Sequence, residues 1–127
     1  MTGSSPNLSE PAALLVGRLL LATIFLHEGI AKLGSYAASA AYARAFGVPD
    51  ALLPLAISVE LGCGLLIALG LHTRVAALVL AGFCLFTAAV FHAKFSERNQ
   101  LLHFEKNLAM AGGLLVLAVA GPGRFAI

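Results

Sequence analysis

Charge is what this sequence has least of. Of its 127 residues only 11% are Asp, Glu, Lys or Arg, 60% are hydrophobic, and the mean hydropathy is +0.94. Soluble domains carry about a quarter charged residues, so the chain lacks the polar surface that coats a water-soluble globule. A bilayer is the solvent that fits. The net charge is +2 and the basic residues are scattered, which excludes a nucleic-acid footprint. Cysteine is scarce as well. Cys63 and Cys84 both lie inside apolar runs and outside any C-x-x-C pair, which argues against a disulfide framework and against a zinc site. The first ten residues hold no Lys or Arg, and the apolar run after them exceeds a signal h-region, so a cleavable signal peptide is a poor reading.

What is there is a set of long apolar runs. Crossing a membrane takes about 20 residues, and four segments qualify. The first spans about Ala12 to Leu33, with Ser9 expected as its cap and Pro11 in its first turn. The second follows Gly47-Val48-Pro49-Asp50, a helix stop with an expected Asp cap, and continues to about Gly70. Thr73 is the expected cap of the third, which reaches about Ala93, and the fourth runs from about His103 to Ala120 before Gly121-Pro122-Gly123. Ser35 to Phe46 is Ala-rich and carries Tyr36, Tyr42 and Phe46, the composition of a short helix at the membrane interface. Lys94 to Leu102 reads as a polar exposed connection. The expected fold is all-α: an integral membrane four-helix bundle with an interfacial helix between the first two spans. Residues 1–10 form a polar tail, 11–123 one membrane domain and 124–127 a second short tail.

Four spans put both termini and the Gly70–Arg74 turn on one side, termed A, and the two longer connections on the other, B. The positive-inside rule makes side B cytoplasmic through Lys32, Arg44, Lys94, Arg98 and Lys106 against Arg74 and Arg124. Without Lys32 and Lys106, which the pocket described next claims, the margin is three against two, so orientation stays open.

The stretch FLHEGIAKLG, Phe25 to Gly34, sets His27, Glu28 and Lys32 at the end of an apolar run. At about 100° per residue, Arg18, Phe25, Gly29 and Lys32 share one face, Glu28 stands at its edge, and His27 points away. From the helix rise of about 1.5 Å per residue, Arg18 lies roughly 10 Å below side A and Glu60 roughly 15 Å below side B. Both are then near the bilayer centre, where an unpaired charge costs roughly 3 kcal/mol. An Arg18–Glu60 ion pair across the first and second helices is the expected solution. Glu28, Lys32, His92, Lys106 and Asn107 converge on the same half of the membrane, which predicts a polar pocket toward side B floored by Arg18 and Glu60. Plainer roles remain beside this one: Arg18–Glu60 as an interhelical clamp, Glu28–Lys32 as a snorkelling pair, and His27 and His103 as interfacial residues. No H-x-x-x-H or E-x-x-H spacing supports a metal site, and no pattern holds flavin, haem or an iron–sulfur cluster.

Several of these residues together resemble the DoxX family. They are Arg18 in LVGRLLLATIFLHEGIAKLG, Phe46-Gly47-Val48-Pro49, Glu60 in AISVELGCGLLIALGL, Thr73-Arg74-x-Ala-Ala-Leu, Phe91-His92, and Lys106-Asn107 in KNLAMAGG. The resemblance runs from Leu14 to about Gly123; His27-Glu28 departs from it, since many members carry less polar residues there. It implies a multi-pass protein of bacterial cytoplasmic membranes, associated with quinone-linked oxidoreductases or oxidative-stress complexes. Three functions follow as expectations. One is a membrane subunit of a redox complex that binds quinone and draws electrons from a soluble or membrane oxidoreductase partner. The others are a non-catalytic scaffold, which admits a homo-oligomer, and a small-solute or proton carrier.

Overall fold

Apolar runs become separate helices only where something stops them. In the computed structural model, which describes residues 8–91 and 98–127 (the backbone alone over 98–100), glycine does most of the stopping. Helix α1 is Ser9–Gly34, α2 is Tyr36–Ala45, α3 is Leu53–Leu69, α4 is Thr73–Phe91 and α5 is Arg98–Ala120. Gly70 sits at φ 80° and ends α3, with its own N–H and that of Leu71 both bonded to the Leu66 carbonyl at 2.9 Å. Gly121 ends α5 at φ 79°, its N–H bonded to the Leu117 carbonyl at 2.7 Å, and Pro122 follows with no N–H to donate. Only glycine takes this left-handed conformation without a Cβ penalty.

Among the described residues, four helical stretches are long and apolar enough to span: Ser9–Gly34, Asp50–Leu69, Thr73–Phe91 and Leu101–Ala120. At about 1.5 Å per residue, the 19 residues of the shortest cover about 29 Å, the thickness of a hydrocarbon core. The four-span bundle and the interfacial α2 stand as the sequence predicts. The caps do not. Leu8 occupies the N-cap of α1, and Ser9 is already helical. Asp50 opens a 3₁₀ turn, Asp50–Leu52, and gives its carboxylate to Arg44 at 2.6 Å. Thr73 is 2% exposed and its buried hydroxyl makes no hydrogen bond. Helix α5 begins at Arg98, so part of the connection expected between Lys94 and Leu102 is helical.

Packing follows the chain round the bundle. Helix α1 lies on α3, α3 on α4, and α4 most extensively on α5, while α1 meets α5 sparingly. Small residues bring α1 and α3 together: a methyl group on Gly29 would stand 2.7 Å from Leu61, and one on Gly64 would stand 3.2 Å from Leu26. Such close approach is how membrane helices gain packing energy when lipid is as apolar as the partner. The core runs through Ala22, Phe25, Ile67, Leu80, Cys84 and Leu114. Leu20, Val116 and Val119 face outward, the position of lipid-facing side chains on a spanning helix. A second small core of Ala40, Leu53 and Ile57 fastens α2 over the side-B end of α3. Tyr42, Phe46 and Phe91 then stack α2 against the end of α4, with ring centres 4.9–5.6 Å apart.

Candidate functional site

Side chains on a helix lean toward its N-terminus, and α1 and α3 run in opposite directions. Lys32, near the side-B end of α1, therefore leans inward to the bundle centre. Glu60, midway along α3, leans toward side B to meet it. The ammonium lies 2.7 Å from Glu60 Oε1 and 3.9 Å from Glu28 Oε2. Glu60 is 3% exposed, whereas Glu28 and Lys32 are half-buried. At 2.7 Å the Lys32 ammonium and Glu60 Oε1 are within hydrogen-bond distance as well as ion-pair distance.

The same lean corrects the expected Arg18–Glu60 pair. Arg18 points to side A, away from Glu60, and is 2% exposed. Its guanidinium donates to the carbonyls of Pro122 at 2.6 Å, Phe125 at 2.8 Å and Ala68 at 3.3 Å. The last residues fold back over the end of α3 to supply these acceptors, and the Ile127 N–H donates to the Leu69 carbonyl. Arg18 is thus held by backbone dipoles at the side-A end, and Glu60 takes its cation from Lys32.

A cavity of about 680 Å³ opens in the side-B half. Glu28, Lys32, Glu60, Lys106 and Asn107 all line it, which brings together five residues of the predicted set. Arg18 is not among its lining residues, so the floor expected from Arg18 and Glu60 is formed by Glu60 without it. Asn107 is buried at 7% exposure, while Lys106 and His103 stand at the rim. His92 lies outside the described residues. His27 is exposed on the outer face of α1 and takes no part in the wall. Most of the wall is apolar: Ile24, Phe25, Val59, Phe83, Phe86 and Met110 surround the charged belt. Sequence reasoning drew only His92 from the third span and nothing from α2, whereas Ser39 and Tyr42 of α2 and Phe91 of α4 complete the enclosure. The aromatic residues Tyr36, Tyr42 and Phe46 in an otherwise Ala-rich stretch were the available signal.

Chemically, the cavity offers a fixed ammonium, a buried carboxylate and a carboxamide to a ligand that is otherwise apolar. Sites of this size and polarity take small organic ligands. Four apolar spans enclosing an apolar cavity with one charged wall define a polytopic membrane protein with a ligand-sized interior space. The DoxX sequence profile matches residues 13–93. The inner membrane protein YqjF of Escherichia coli is 45% identical over 118 residues, covering 93% of this chain and 91% of that protein. Inner membrane protein YphA of the same organism is 29% identical over 126 residues, covering 94% and 90%. No solved structure matches. The chain belongs to the DoxX family, and it is a multi-pass inner-membrane protein.

Proposed function

We propose that this chain is the membrane subunit of a quinone-linked redox complex and holds the quinone headgroup at Lys32, Glu60 and Asn107. The observation that carries the reading is the contrast within one cavity, an apolar wall interrupted by an ion pair with a buried carboxylate and by a buried amide. A quinone has the matching form: a flat apolar ring with carbonyl acceptors at opposite edges. The Lys32 ammonium and the Asn107 amide supply donors to those carbonyls. Reduction to the hydroquinone consumes two electrons and two protons. The electrons come from a partner oxidoreductase, soluble or membrane-bound. The protons come from side-B water, reaching the headgroup by way of half-exposed Glu28 and buried Glu60.

The test is titration of the purified protein with ubiquinone in nanodiscs. Saturable binding is expected, weakened about tenfold in Lys32→Met and Asn107→Ala, with helical circular dichroism retained. No saturable binding, or equal affinity in all three proteins, overturns the reading. The Lys32–Glu60 pair would then serve as a register-fixing clamp, which is the scaffold function.

A further inference from the structure

We infer that the site is loaded sideways from the bilayer, through the seam between α1 and α5, so that its ligand is a tailed amphiphile dissolved in lipid. The inference rests on the ligand-binding reading above and specifies which class of molecule reaches that site. Among the described residues, α4–α5 and α1–α3 are the extensive seams, α3–α4 is intermediate, and the α1–α5 seam is the sparsest of the four. Its two edges are regular. On α1 the stripe Leu21, Ile24, Glu28, Ala31 recurs at three- and four-residue spacing, one helical face. On α5 the facing stripe is Gly113, Met110, Lys106 and His103.

The seam is shut at one end and open toward side B. Leu21 lies over Gly113, close enough that a methyl group there would stand 3.4 Å from it. From that contact toward side B, Ile24, Glu28 and Ala31 on one edge, and Met110, Lys106 and His103 on the other, all line the cavity. Ala31 is small and exposed, a low sill between cavity and lipid. Part of the side-B mouth is covered by α2, which crosses the end of α3 and is stacked through Tyr42 and Phe46 onto Phe91. Polarity along the seam sets the orientation of the guest. The charged belt at Glu28, Lys32 and Lys106 takes the headgroup. The stretch at Ile24 and Met110, nearer the bilayer centre, lets an isoprenoid tail pass out into the lipid.

A portal has a kinetic signature that a binding contact lacks, because narrowing it slows entry and exit together. The chain has no tryptophan of its own, so a Phe86→Trp reporter on the cavity wall, present in every protein compared, registers quinone arrival by quenching. In liposomes, Ala31→Phe is expected to slow association and dissociation of isoprenoid-tailed ubiquinone by about tenfold each, leaving Kd little changed. Met110→Phe is the second variant, in case Ala31→Phe does not fold. The tail-free ubiquinone headgroup, added from water, is expected to bind more weakly than the tailed form. Unaltered rates in both seam variants, with the tailed quinone still bound, overturn the lateral route and leave the site standing. Absence of quenching by either quinone in the otherwise unaltered protein removes the site, and the portal with it.

Discussion

Replacing Lys32 with Met keeps the length and apolar bulk of the side chain and deletes only its charge. What remains is a Glu60 carboxylate whose side chain is 4% exposed, without the ammonium that stood 2.7 Å away. Orphaning a buried charge costs about 3–5 kcal/mol. The Lys32 side chain is 27% exposed, so solvent already screens the pair in part, and the low end, about 3 kcal/mol, is expected. Glu60→Leu should cost less, about 1–2 kcal/mol, because the freed Lys32 keeps Glu28 within reach and can snorkel toward side B. The double variant replaces the pair by apolar groups of similar volume and should lie within about 1 kcal/mol of the parent. The singles then sum to about 4–5 kcal/mol against about 1 for the double, a coupling of roughly 3 kcal/mol. Reversible unfolding in mixed micelles of increasing SDS fraction measures all four proteins. Additive single effects, or a Glu60→Leu variant less stable than Lys32→Met, would refute the reasoning from the buried pair.

Arg18→Leu should cost about 3 kcal/mol by removing charged donors from the Pro122 and Phe125 carbonyls; hydrogen exchange of the last six residues should rise while the side-B half stays protected. Gly29→Ala puts a methyl 2.7 Å from Leu61 and should destabilise by about 1–3 kcal/mol, with Leu61→Ala in the same chain recovering part of it. Cysteines placed at Glu10, His72 and Arg124 in a chain lacking Cys63 and Cys84 should label from one face of the membrane. One at Arg44 should label from the other. Labelling of Glu10 and Arg124 from opposite faces is incompatible with four spans.

The fold was legible because hydropathy and glycine act locally. The runs around Leu20, Leu65, Leu85 and Leu115, broken at Gly47, Gly70 and Gly121, are readable from the order of residues alone. Capping was not, because tertiary partners overrode local preference: Asp50 gives its carboxylate to Arg44, and Thr73 is packed into the core. The wheel correctly gathered Glu28 and Lys32 onto the buried side of α1, since helical periodicity fixes which face a residue occupies. Pairing across helices failed for Arg18 and Glu60 because a count of rises treats side chains as points. Each leans toward its own helix N-terminus, and antiparallel helices carry the two apart. The acceptors Arg18 uses, at Pro122 and Phe125, are more than 100 residues away along the chain, and no local signal announces them. The cavity was half legible. Its polar wall stood out as intramembrane charge, whereas Phe83, Phe86 and Met110 look like any lipid-facing or core residue until the helices are assembled.

If a quinone occupies the side-B cavity as proposed, an azidoquinone photolysed in liposomes should label residues 24–32 of α1 and 103–110 of α5, as mapped on peptides. That label should be suppressed by excess unlabelled ubiquinone and reduced in Asn107→Ala. Label confined to the outward faces at Val16 and Leu20 or at Val116 and Val119, or label that excess ubiquinone does not suppress, would contradict that occupancy.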